Sequence, residues 1–233
     1  MKSLTTKNHY LDNLLLGVLA GAAIGVGGFL NLIMCSFNIE ALKFLGGVLF
    51  SIGLFSVCFF GLHLYTGRVG YVSDNKKSYA INLSLMFIGN VIGAVGFGYL
   101  MRLTGIATDG ILKDICVNVA NNKIINLDGV LGQSALKMLV FSFFCGIMVF
   151  LAVDIFKKAN SWVFKIGGLV ICVALFVICG MEHCIADMFY FAIANTYATA
   201  IGAAILAIVL ATAGNSLGAV CSRAVVKNIE KNK

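Results

Sequence analysis

Proline is absent from this 233-residue chain, and charged side chains make up only 12% of it. The first absence excludes a neutral-solute pore built on paired Asn-Pro-Ala words. It also leaves glycine, polar side chains and tertiary context as the means of interrupting a helix. The second excludes ordinary water-soluble folding, because soluble domains carry about 25% charged residues. A disulfide framework is missing too. Seven of the eight cysteines (Cys35, Cys58, Cys145, Cys172, Cys179, Cys184 and Cys221) lie in or at the ends of apolar segments. Such thiols behave as small hydrophobes. Only Cys116 falls in a hydrophilic loop. No cleavable leader is expected, since the first ten residues are polar and the apolar run after them is long enough to span a bilayer.

What is present is apolar. Sixty per cent of the residues are hydrophobic and the mean hydropathy is +0.97. A transmembrane helix needs about 20 apolar residues, and six segments qualify: Leu14–Phe37, Ala41–Leu64, Tyr79–Thr104, Leu131–Phe156, Trp162–Gly180 and Tyr197–Val226. The last is long enough to tilt or project. The net charge of +7 fits membrane topology rather than nucleic acid, because the basic residues cluster between spans. If both termini are cytoplasmic, twelve Lys and Arg lie inside: Lys2, Lys7, Arg68, Lys76, Lys77, Lys157, Lys158, Lys165, Arg223, Lys227, Lys231 and Lys233. Four lie outside: Lys43, Arg102, Lys113 and Lys123. The positive-inside rule therefore predicts cytoplasmic termini.

The chain repeats itself. Gly89-Asn90-Val91-Ile92-Gly93-Ala94-Val95 returns as Gly214-Asn215-Ser216-Leu217-Gly218-Ala219-Val220, each one segment after an interrupted span. The halves run over about 14–104 and 131–226 of a single transmembrane domain. The interruptions are Gly61–Tyr71 and Cys179–Phe189; aligning Gly61 with Gly180 sets His63 opposite Glu182 and Leu64 opposite His183. Matching interruptions in two halves point to a transport site near the bilayer midplane. Ionisable groups at membrane depth cost about 2.5–3.5 kcal/mol each on insertion scales and mark functional paths. His63, Glu182, His183 and Asp187 are such groups. Cys179, Glu182, His183 and Cys184 offer metal ligands, but their crowding is unlike the separated pairs of zinc sites, and no metal is expected. Two histidines at opposite breaks leave a haem-binding redox subunit as an alternative of another class. Otherwise no cofactor is expected. The loop Gly105–Asp128 carries Ile111, Ile115 and Val119 at intervals of four, a pattern for a short amphipathic helix.

Leu64-Tyr65-Thr66, the stretch Gly180-Met181-Glu182-His183-Cys184-Ile185-Ala186-Asp187-Met188 and the two Gly-Asn-x-x-Gly-Ala words together resemble the formate/nitrite transporter family over essentially the whole chain. Within it the hydrosulfide channel branch of bacteria is most similar. The resemblance implies an all-α, aquaporin-like fold of two inverted three-helix repeats, six transmembrane helices with the second and fifth interrupted, a pore in each protomer and a homopentamer in a bacterial cytoplasmic membrane. It implies a pore for small monovalent anions, not an enzyme. Hydrosulfide leads, formate and nitrite follow, and proton-coupled transport is the alternative mechanism. The implied partners are small anions and lipid, not nucleic acid. By the same resemblance the inner constriction is Leu64 and Tyr65 beside Thr66, and the opposite constriction is Phe50, Leu54 and Phe176. The central histidine is His183, supported by Glu182. A basic residue near the outer mouth is Lys137 or Lys123. Four positions depart from the family pattern: Tyr65 for Phe, His63 for Glu, Asp187 for Asn, and Gly146 where a pore asparagine is usual.

Overall fold

The computed structural model describes residues 9–124 and 131–232; Lys2, Lys7 and Lys233 of the charge tally and the 125–128 end of the expected loop helix lie outside them. Three long helices and one broken segment form the first half: α1 His9–Ser36, α2 Glu40–Phe59, α3 Tyr65–Arg68 running on into a 3-10 turn Val69–Asp74, and α4 Tyr79–Leu103. A loop helix, α5 Lys113–Lys123, follows. The second half is α6 Leu131–Lys158, α7 Trp162–Ile178, α8 Cys184–Ile193, α9 Thr196–Thr199 and α10 Ile201–Lys231. Among the described residues five helices are long and apolar enough to cross a bilayer, α7 being shorter. Leu15, Ile88, Ile171 and Val209 stand exposed on the outside, an apolar surface suited to lipid rather than water.

Glycine contacts give the helix directions. Gly17, Gly21 and Gly25 of α1 meet Met86, Asn90 and Phe97 of α4 in rising order, so these helices are parallel. Gly27 of α1 meets Phe50 and Gly53 of α2 while Gly46 meets Asn31 and Met34, so α2 is antiparallel to α1. Gly47 packs on Ile178 and Phe59 on Trp162, so α7 is antiparallel to α2. In the second half Gly214 meets Leu139 and Gly218 meets Phe143 and Ile147, making α6 and α10 parallel. The first half therefore runs up, down, up and the second down, up, down. These are inverted repeats. α1 begins and α10 ends on one side, here the terminal face.

Small residues make this possible. A side chain at Gly21 would strike the Asn90 carbonyl, and one at Gly146 would strike the Asn215 carbonyl. These are corresponding contacts of the two halves, where backbones touch. Gly146 therefore serves helix packing.

The segment boundaries shift at the breaks. The expected span Ala41–Leu64 ends as helix at Phe59, and Trp162–Gly180 ends at Ile178. The interruption beyond Gly180 contains a full helix, α8, with every residue buried. The final helix starts at Ile201 rather than Tyr197 and is 31 residues long. α5 takes the expected loop, with Ile115 and Val119 packed on the core, while Ile111 precedes it and is exposed. Cys116 is buried rather than loop-exposed, and burial pushes its thiol up to about 11.

Candidate functional site

Each break is made the same way. Gly61 and Gly180 adopt φ of +68° and +65°, the left-handed region that glycine enters without a Cβ penalty. The Leu62 amide then donates to Val57 and the Met181 amide to Phe176, both at 2.9 Å. Leu64 and His183 are extended, and a new helix starts immediately after each.

The repeated asparagines hold these turns. Asn90 Oδ1 accepts from the Tyr65 amide at 2.8 Å, and its Nδ2 donates to the carbonyls of Gly17 at 2.8 Å and His63 at 2.9 Å. Asn215 does the same with the Cys184 amide at 2.9 Å and the carbonyls of Ser142 at 2.8 Å and Glu182 at 2.9 Å. Only a carboxamide offers one acceptor and two donors in so small a group. Both side chains are fully buried, so each satisfies three backbone groups that water cannot reach. The pairing of His63 with Glu182 and Leu64 with His183 thus has a structural counterpart.

His183 caps α8. Its Nδ1 accepts from the Ala186 amide at 3.2 Å, and its Nε2 lies 2.9 Å from Thr66 Oγ1 of the other break. A nitrogen that accepts carries no proton, so the arrangement assigns the proton to Nε2 and the accepting role to Thr66. The Phe176 ring stacks on the imidazole at 5.9 Å and 23°. Phe50 meets Phe176 edge-on at 5.7 Å. Leu54, one turn along α2, is buried.

Two cavities approach this centre. A far-face cavity of about 410 Å³ includes Phe50, Phe176, His183 and Glu182 in its wall. A terminal-face cavity of about 170 Å³ is lined by Leu64, Arg68 and Lys157, among others. Leu54 and Thr66 are buried and line neither. They form the plug between the two.

Tyr65 departs from its expected place. Its hydroxyl lies 2.9 Å from Ser216 Oγ, its ring packs on Phe87 at 5.0 Å, and it lines a lateral groove beside α4. The left turn at Gly61 sends Leu64 towards the terminal-face cavity and the next residue away from it. Of the expected pair, Leu64 borders the terminal-face cavity and Tyr65 does not.

Both candidate lysines border the far-face cavity. Lys137 is exposed, with Nζ 5.5 Å from the centre of the Phe141 ring. Lys123 reaches in from α5 and contacts Glu182 Oε2 at 2.5 Å and Asp187 Oδ1 at 3.0 Å. Burial works against its charge, but the Asp187 and Glu182 carboxylates outweigh it and raise its pKa. Asp187 was legible as an ionisable group at membrane depth and as a carboxylate where the family has an amide; its pairing with Lys123 was not. Among the described residues, no group of three metal-ligating side chains converges.

Comparison with known proteins agrees with this architecture. The chain is 29% identical over 189 residues to the formate channel BtFdhC of Bacillus thuringiensis, covering 76% of this chain and 70% of that one. It is 30% identical over 190 residues to the uncharacterized transporter YrhG of Bacillus subtilis, covering 76% and 68%. A solved pentameric formate channel with formate bound superposes with a TM-score of 0.82 at 23% identity, over 98% of this chain and 100% of that one. The sequence model of the formate/nitrite transporter family matches residues 3–228. The chain is a multi-pass membrane protein and belongs to the formate/nitrite transporter family.

Proposed function

We propose that this protein is a passive pore for small monovalent anions, with formate, nitrite and hydrosulfide as its substrates. The observation that carries the reading is the His183–Thr66 contact at 2.9 Å, set between two opposed cavities and closed by Leu54, Leu64 and Phe176. A hydrogen-bonding pair inside an apolar neck gives an anion one donor while hydrated cations meet only hydrocarbon. Formate is favoured by the name of the relative from Bacillus thuringiensis. Hydrosulfide rests on the motif resemblance alone. The ring supports conduction over proton delivery: with Nδ1 accepting from Ala186, it holds one proton and has no second to give.

The functional unit in this reading is a homopentamer, as in the solved formate channel, with a pore in each protomer. The terminal face is cytoplasmic and the membrane a bacterial cytoplasmic one. Arg68, Lys76, Lys77, Lys157, Lys158, Lys165, Arg223, Lys227 and Lys231 belong to that face, which supports the positive-inside assignment. Flux of each anion into liposomes containing the purified protein tests the pore. Flux of at least one, with potassium and glycerol excluded, is expected; no anion flux at any pH overturns it. For orientation, Asn118→Cys on the exposed side of α5 is expected to react with impermeant thiol reagents from outside the cell, and a cysteine placed after Lys233 is not.

A further inference from the structure

The two cavities carry different charge. The far-face cavity sets Lys123 and Lys137 against Glu182 and Asp187, so cations and carboxylates balance. The terminal-face cavity includes Arg68 and Lys157 in its wall and no acidic side chain. The carboxylates nearby are engaged elsewhere. Asp154 accepts from Tyr71 Oη at 3.1 Å and pairs with Lys158 at 2.7 Å. Asp74 pairs with Arg223 and Lys227, and Glu230 with Arg223 and Lys158. Among the described residues neither Arg68 nor Lys157 has a carboxylate within ion-pair distance. Lys157 instead lies 4.3 Å from the centre of the Tyr71 ring.

Two cations bordering one small cavity without a counter-ion repel each other; Arg68 is half-buried beside the apolar walls of Val57, Val153 and Phe156, and Lys157 is exposed. An anion between them removes that cost. A volume of about 170 Å³ admits a three- or four-atom anion with part of its hydration, a water occupying about 30 Å³. We infer that Arg68 and Lys157 form an anion-binding station beside Leu64, which loads small monovalent anions from the terminal face and makes conduction asymmetric. Rings of Arg and Lys draw anions into pores, and charged clefts raise local ion concentration and entry rate by 10-fold or more. No such excess serves the other mouth.

This inference rests on the pore reading, and one experiment separates them. The full-length protein is placed in planar bilayers, its orientation read from protease access to a C-terminal tag, and formate current is titrated from each face in turn. The parent is expected to half-saturate at a lower formate concentration from the terminal face. Arg68→Gln, Lys157→Gln and the double variant should raise that concentration by about 3- to 10-fold and leave the far-face value unchanged. Arg68→Lys should restore most of the loss, and Lys77→Gln, an exposed charge on the same face, should change nothing. Retained oligomer size on gel filtration identifies folded variants; if the double variant is unfolded, the decision falls to Lys157→Gln, which replaces an exposed side chain. A parent that conducts no formate, nitrite or hydrosulfide overturns both readings. A conducting parent with equal half-saturation from both faces, or a folded variant that matches it, overturns this one alone.

Discussion

Asp187 Oδ1 lies 3.0 Å from the Lys123 ammonium, which Glu182 already holds at 2.5 Å. One half-buried cation thus serves two buried carboxylates. Among the described residues neither Asp187 oxygen accepts a well-aligned hydrogen bond, so its link to Lys123 rests mainly on charge.

Replacing Asp187 by Asn tests what the second carboxylate does. The substitution keeps the shape and leaves Lys123 with Glu182, freeing part of its charge for an anion in the far-face cavity. The expected result is tighter anion entry from that face, with half-saturation about 3- to 10-fold lower, and no loss of thermal stability. Lys123→Met should do the opposite. It leaves two carboxylates buried beside each other, and breaking a buried pair costs about 3–5 kcal/mol. A melting point in detergent unchanged from the parent would show that the pair is not closed as described.

The two asparagine clamps make a paired prediction. Asn90→Ala and Asn215→Ala each strip one amide and two carbonyls of their partners. An orphaned buried group costs about 1–3 kcal/mol, so each variant should lose at least about 3 kcal/mol. Asp at either site should fare no better than Ala, since a carboxylate has no donors for the two carbonyls. Differential scanning in detergent measures this, and a loss confined to one site would mean that the two halves are not held alike.

These clamps also show what sequence reasoning reaches. The Gly-Asn words were legible because both halves need the same close helix approach and the same three-bond clamp, and the internal repeat and paired breaks were read from them; the inversion of the repeat came from the family resemblance. Side-chain direction after a break was not legible. Tyr65 adjoins Leu64 but points to Ser216, because the left-handed turn at Gly61 resets the helical phase. α8 was hidden because Glu182, His183 and Asp187 read as an interruption, whereas Glu182 and Asp187 face Lys123 from inside. Choosing Lys123 over Lys137 required the fold of α5, which no spacing supplies.

The turn Val69–Asp74 that follows Thr66 is fastened by charge. Asp74 accepts from Lys227 at 2.6 Å and from Arg223 at 2.5 Å, and these bonds hold its carboxyl below the ordinary value. A depressed carboxyl stabilises the fastened form above its free value, and that contribution is lost as pH falls through the lower one. Hydrogen exchange of residues 69–75, corrected for intrinsic rates, should therefore rise as pH drops below about 4. Raised salt should have a similar effect at neutral pH. Asp74→Asn should exchange fast throughout and lose the low-pH step; a step unchanged in that variant would assign the fastening to another group.

The last prediction concerns the contact that joins the two breaks. Thr66 Oγ1 and His183 Nε2 are 117 positions apart in sequence and 2.9 Å apart in space. If the imidazole carries a single proton aimed at Thr66, an anion must accept from Nε2 or from the freed hydroxyl as it passes. Thr66→Val keeps the shape and removes the hydroxyl, so the neck loses its polar partner and His183 Nε2 is left unpaired; anion flux is expected to fall by 10-fold or more, with oligomer size retained and stability lower by about 1–3 kcal/mol. Thr66→Ser should keep most of the flux. His183→Asn should keep an acceptor for the Ala186 amide and so keep the fold, while withdrawing the Nε2 donor from Thr66 and changing the flux or the preference among anions. Flux of formate and hydrosulfide against pH in liposomes decides it. Parent-like curves for His183→Asn with both anions would remove the histidine from the conduction step, and full flux through Thr66→Val would place the anion path elsewhere in the protomer.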